Sequence, residues 1–223
     1  MKKFNELHFG IKLALSLIFL LVLIYILNWW VILINKFLLG ILLIFVMVPI
    51  TQFLITPLFT LLKFYTYYSP MLVVFGANKR VLNIHNGTSF DYLFEMRNVK
   101  PGVQWERKML LYYLQGLIEI SNQIESNKLP KSIIIRGSSY FFSNQTASRF
   151  NFEILRTPML EKINLVLNYL DLFWSYSFSK GKIVFPGIKN IKTMRTTGEK
   201  LIQSKEIIIA MENHLNKNLS GIN

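Results

Sequence analysis

Seven consecutive residues, His85-Asn-Gly-Thr-Ser-Phe-Asp91, hold the densest set of side chains in this sequence that could do chemistry. Residues 80–84 read as a short strand before them, and residues 89–97 read as a helix after them. A strand that turns through Gly87 into a helix presents backbone N–H groups near Thr88 and Ser89, which favours an anion. With His85 as general base and Asp91 as the acid that orients it, the same turn could move a proton. A plainer reading gives Thr88 or Ser89 the helix cap, Asp91 the helix dipole and His85 an ordinary strand end.

A second polar set runs from Ser138 and Ser139 through Tyr140 to Asn144. It follows Ser132-Ile-Ile-Ile135, a β-branched strand of the type buried in a sheet centre. A helix over 144–150 and a strand over 152–155 are expected next. Taken in order, strand 80–84, helix 104–126, strand 132–135 and then Asn144, Ala147, Phe150 and Phe152-Glu153 resemble the C-terminal half of the GNAT superfamily of acetyltransferases. The resemblance covers residues 80–155. It implies acyl-CoA as cofactor, with Tyr140 and Asn144 contacting it and Pro101-Gly102-Val103 near its pyrophosphate. The family's Gln/Arg-x-x-Gly-x-Gly/Ala phosphate cradle is absent, since Gln104-Trp-Glu-Arg-Lys108 follows Gly102.

Other chemistries lack their residues. The chain has no cysteine, which excludes disulfides, thiolate catalysis and cysteine metal sites. His8, His85 and His214 are far apart and show no metal-ligand spacing, so no metal is expected. No P-loop, dinucleotide fingerprint or Gly-x-Ser-x-Gly elbow occurs.

These residues must be held by the elements around them, and the sequence divides sharply. From Gly10 to Leu62 the only charged residues are Lys12 and Lys36. The run from Ile11 to Leu27 is long enough as a helix to cross a bilayer's hydrocarbon core, about 25 Å at 1.5 Å per residue. Trp29 and Trp30 follow at the position of a headgroup belt. A second run over 37–62 is long enough to cross back, with Pro49 and Pro57 expected to kink or split it. No small-residue cleavage site follows the first run, which argues against a signal peptide. The expected organisation is a basic cytoplasmic N-terminus over 1–10, a transmembrane helical hairpin over 11–63, an interfacial aromatic linker over 64–70, and a cytoplasmic α/β domain over 71–223. Its expected sheet is mixed or parallel, with helices on its faces.

The formal net charge of +13 splits into +4 on residues 1–70 and +9 on the rest. A basic domain beside a membrane is attracted to anionic headgroups. The same field would draw a phosphate-bearing small molecule. Basic residues without an array of exposed aromatics argue against sequence-specific nucleic-acid binding.

Within the domain, Leu110, Leu114, Leu117, Ile120 and Ile124 mark one face of a helix over 104–126. The segment from Ile163 to Phe178 is apolar around most of its circumference. It reads either as a core helix or as one lying in the membrane interface and lining an apolar pocket. Lys180, Lys182, Lys189, Lys192 and Arg195 follow with no acid among them, and would then sit over the headgroups. A solvated basic turn is the alternative. A last helix over 197–215 starts with Thr196 and Glu199 as a capping box.

Two functions fit. One is a membrane-anchored ligand-binding or interaction module acting as sensor, effector or assembly factor at a bacterial inner membrane, with homo-oligomers formed through the hairpin. The other is a membrane-tethered transferase using acyl-CoA on a lipid or membrane-proximal acceptor. The transferase predicts a deep cleft where the His85 turn and the 138–144 segment converge.

Overall fold

A computed structural model describes residues 4–76, 78, 80–139, 144–187 and 192–220. Tyr140 and Lys189 lie outside the described residues. The first helix, α1 (Phe9–Lys36), and the segment from Leu38 to Leu61 are each long and apolar enough to cross a membrane. The rest of the protein buries little of either. The chain reverses at Phe37 and winds through a 3-10 segment (Leu38–Leu43) into α2 (Ile44–Leu61). The Trp30 indole donates to the Gly40 carbonyl at 2.9 Å and closes the hairpin. Helix α2 runs unbroken through Pro49 and Pro57, so the split expected there falls earlier, in the 3-10 turn.

Six strands form one sheet: β1 (Tyr65–Ser69), β2 (Leu72–Phe75), β3 (Val81–Asn86), β4 (Ile134–Ser139), β5 (Glu153–Leu155) and β6 (Lys192–Thr197). Their order is β1-β2-β3-β4-β6-β5. Only β3 and β4 are parallel neighbours, and the other pairs are antiparallel. The sheet is therefore mixed. The aromatic stretch expected as a linker is strand β1, which pairs Tyr65 with Phe75 and Thr66 with Val74. The expected basic turn likewise gives way to strand at Lys192.

The helices that follow the hairpin are α3 (Ser89–Glu95), α4 (Val103–Glu125), α5 (Asn144–Arg149), α6 (Met159–Leu167), α7 (Tyr169–Lys180), α8 (Gly198–Gln203) and α9 (Lys205–Ser220). The 3.6-residue spacing read in α4 puts Leu114, Leu117, Ile120 and Ile124 on its buried side. They pack against Leu72, Val74, Leu82, Ile84 and Ile135 from the sheet and Ile133 just before β4, with Ile208 of α9 closing the core. Fully burying each such side chain stabilises the fold by about 1.5–3 kcal/mol. The cap of α8 is Thr197, whose hydroxyl accepts from the Lys200 N–H, one residue later than the expected Thr196–Glu199 box.

Strand alternation sends the next set of side chains to the opposite face of the sheet. Phe75, Asn83, His85, Arg136 and Ser138 lie there, and the site is built on that face. Helix α3 ties the hairpin to the domain. Its Phe90 ring is buried between Phe19 of α1 at 6.2 Å and Phe53 of α2 at 5.7 Å.

Candidate functional site

Strand β3 ends in His85 and Asn86 and turns into α3. Its parallel neighbour β4 carries Arg136 and Ser138 in the same direction. Open α/β sheets collect ligands beyond the carboxyl ends of such strands. A cleft of about 620 Å³ lies there, within the range of small-molecule sites. The floor is the polar sheet face, one wall is the turn from Asn86 to Ser89, and the roof is α6 and α7. Gln52 of hairpin helix α2 also lines it.

The turn is packed tightly. A Cβ on Gly87 would come within 2.9 Å of both Asp91 Cβ and Met71 Cε, so only glycine fits without movement. The Gly87 N–H is used by the Met71 carbonyl at 3.0 Å. Thr88 and Asp91 form a reciprocal capping box at the start of α3. The Thr88 N–H donates to Asp91 Oδ2 at 2.7 Å, and the Tyr67 hydroxyl donates to Asp91 Oδ1 at 2.9 Å. The anion expected at this turn is thus supplied by the chain itself.

That geometry separates the two residues read as an acid–base pair. Asp91 is buried beneath the turn, beside a small cavity lined by Phe4, Thr60, Tyr67 and Phe90, whereas His85 lines the cleft. Burial raises the Asp91 carboxyl to about 6, against the pull of its three hydrogen-bond donors. His85 stacks on Phe75 at 4.3 Å with the rings 8° apart. Burial lowers its imidazole to about 4, with Glu161 opposing, so it is neutral at pH 7. Burial also raises the Tyr67 hydroxyl well above its ordinary value, and the nearby Asp91 carboxyl adds to the shift.

The roof is fixed by two acids. Glu161 of α6 pairs with Arg136 and accepts from Ser138 at 3.0 Å and Thr193 at 2.7 Å. Asp171 of α7 accepts from Ser89 at 2.5 Å and from the Trp174 indole at 2.9 Å. Among the described residues, lining side chains with a buried polar atom that no protein group meets include Asn86 (Oδ1), Arg136 (Nε) and Asn168 (Oδ1). Leaving such a group unmatched costs about 1–3 kcal/mol.

His85, Gly87, Thr88, Ser89 and Ser138 from the two sequence segments do converge on this cleft. Others do not. Ser139 ends β4 in register with Lys192. Gly102 caps α4 at φ 96°, with its N–H donated to Phe178 and its Cα pressed against Gly181, where an added Cβ would sit 3.2 Å away. Its N–H is therefore already used. Asn144 is exposed and accepts from Lys192, away from the cleft.

The residues expected at a membrane surface are dispersed. Trp29 is exposed, while the Trp30 indole turns into the hairpin. Lys180 pairs with Glu106 at 3.1 Å, Lys182 is exposed, and Lys192 and Arg195 belong to β6. Sequence reasoning missed Arg136, Glu161, Asn164, Asn168, Asp171 and Gln52. One signal was present: Arg136 stands two residues before Ser138, and strand periodicity puts both on one face. Among the described residues no cluster of metal-ligating side chains occurs. Comparison of the chain with family models, curated proteins and solved structures gives no match.

Proposed function

We propose that this chain is a membrane-anchored binding protein whose α/β domain takes a small polar or amphiphilic ligand in the cleft between the sheet and α6–α7. The observation that carries this reading is a cleft of ligand size whose lining includes Asn86, Arg136 and Asn168, each with a buried polar atom that no protein group meets. The Arg136 Nε–H is a donor and the two amide oxygens are acceptors, which suits a polar group that carries both, such as a hydroxyl-bearing phosphate ester. Gln52 extends the site onto a helix of membrane-crossing length, which supports a ligand met at the bilayer. Lysines before α1 and after α2 support a cytoplasmic domain, as at a bacterial inner membrane.

A second reading, the acyl-CoA-dependent transferase, is favoured by one feature. His85 reaches the cleft as a neutral imidazole, the form that can accept a proton. The cofactor contacts implied for Gly102 and Asn144 give it no support, since neither residue lines the cleft.

The full chain in detergent is the material to test, because α3 packs between α1 and α2. Thermal unfolding is measured with coenzyme A, acetyl-CoA, nucleotides, inorganic phosphate and anionic phospholipid. A ligand at a hundred times its Kd stabilises by about 2.7 kcal/mol. The reading expects a shift with phosphate-bearing probes that is lost in Arg136→Gln and Asn86→Ala. A shift with coenzyme A alone, lost in His85→Gln, would favour the transferase. No shift with any probe, or one that survives all three substitutions, would overturn both.

A further inference from the structure

The roof of the cleft is built inside out. Helices of water-soluble domains turn their apolar stripe inward and their polar stripe to solvent. Across α6 and the start of α7 the stripes are reversed. Met159, Ile163, Val166 and Leu170 recur at intervals of four, three and four, and are 76%, 45%, 41% and 40% exposed. On the opposite side Glu161, Asn164, Asn168 and Asp171 face the cleft, interleaved with Leu165 and Leu172. The apolar surface continues past α7, where Ile183 and Phe185 are 81% and 71% exposed.

Three observations identify what covers this surface. Both α6 and α7 pack on α2, so the exposed stripe is continuous with a helix of membrane-crossing length. The only two acids between residues 159 and 187, Glu161 and Asp171, are turned into the cleft and held by Arg136 and Ser89. Lys162 and Lys182 remain on the outside, giving the surface a positive charge. An apolar stripe edged by lysines and lying beside a hairpin matches a helix lying in the surface of an anionic leaflet.

We infer that α6 and the N-terminal half of α7 lie in the plane of the membrane, with Met159, Ile163, Val166 and Leu170 against the acyl chains and the cleft directly behind them. The roof then separates leaflet from cleft, and the ligand's polar group is received on its inner, polar side. This deepens the membrane-anchored reading above and rests on it. Leu160, 80% exposed and also lining the cleft, marks the edge where the two environments meet.

The absence of native cysteine makes the test direct. Single substitutions Ile163→Cys and Val166→Cys are made in the full chain, with Val31→Cys on exposed α1 and Lys128→Cys on the far side of the domain as references. Each is labelled with an environment-sensitive fluorophore in nanodiscs of mixed phosphatidylglycerol and phosphatidylcholine. Quenching is read with brominated acyl chains and with aqueous iodide. The inference expects positions 163 and 166 to lose fluorescence to brominated lipid as position 31 does, while position 128 responds to iodide alone. Lipid quenching at 31 with iodide quenching at 163 and 166 would overturn the in-plane roof and leave the anchor standing. No lipid quenching at 31 would remove the anchor and the inference together. Protection of 163 and 166 from both quenchers would assign the stripe to a second copy of the chain and overturn the inference.

Discussion

Replacing Asp91 with asparagine should change how stability depends on pH, and the structure fixes both sign and size. The Asp91 carboxyl is raised from 3.8 to about 6, because burial outweighs the donors from Thr88 and Tyr67. The folded chain therefore holds this proton more tightly than the unfolded chain does. Its stabilising contribution is complete below pH 3.8 and is lost as the pH rises through about 6. A shift of about two units corresponds to about 3 kcal/mol. His85 acts in the opposite sense over an overlapping range. Its folded value falls from 6.5 to about 4, so its contribution is present above pH 6.5 and is lost as the pH falls toward 4. The wild-type curve thus hides two opposed slopes, and subtracting a variant curve separates them. Asparagine keeps the size of the side chain and one acceptor for the Thr88 N–H. The assay is denaturant unfolding of the full chain in a non-ionic detergent from pH 4 to pH 7.5. The advantage of wild type over Asp91→Asn should grow by about 2.4 kcal/mol from the neutral to the acid end of that range, most of the full difference. Asp91→Asn should itself lose stability on acidification, because the His85 slope is no longer opposed by Asp91. A difference between the two proteins that stays constant across the range would refute the assignment of a destabilised buried carboxylate.

Two further substitutions probe how the hairpin and the turn are held. Phe90→Ala empties the site between Phe19 and Phe53 and should cost about 3–5 kcal/mol. Hydrogen exchange in α3 should rise more than exchange in α4, and equal rises in both would show that Phe90 does not join hairpin to domain. Gly87→Ala forces Asp91 and Met71 away from contacts of 2.9 Å and should cost about 1–3 kcal/mol in thermal unfolding. An unchanged melting temperature would mean that the turn yields, and would weaken the case for a rigid cleft wall.

Much of the fold was legible because its signals are local. The charge-poor stretch from Gly10 to Leu62 announces the two long helices, and the leucine and isoleucine spacing of α4 announces its buried face. Strand β1 was hidden because Tyr65-Thr-Tyr-Tyr68 shows no alternation, and what makes it a strand is pairing with β2. Strand β6 was hidden because Lys192, Thr193, Arg195, Thr196 and Thr197 read as loop residues. Thr193 and Thr196 are nonetheless buried, their hydroxyls spent on Glu161 and the Asn151 carbonyl. The His85 turn and Ser138 could be matched because both sit at strand ends. The acids Glu161 and Asp171 could not, since each finds its partner across a long separation in sequence. The helix read as one piece from 160 to 176 breaks at Asn168, and no glycine or proline there signals it.

The wedge of Phe90 between the hairpin helices also bears on reach. A domain on a flexible leash sweeps a volume set by the length of the leash and can meet partners at many heights and angles. Here three residues separate α2 from β1, and α3 is locked against both hairpin helices. The opening of the cleft therefore keeps one height and one heading relative to the hairpin axis. On the binding reading proposed above, the domain is a fixed bracket, and a ligand would have to reach that single level.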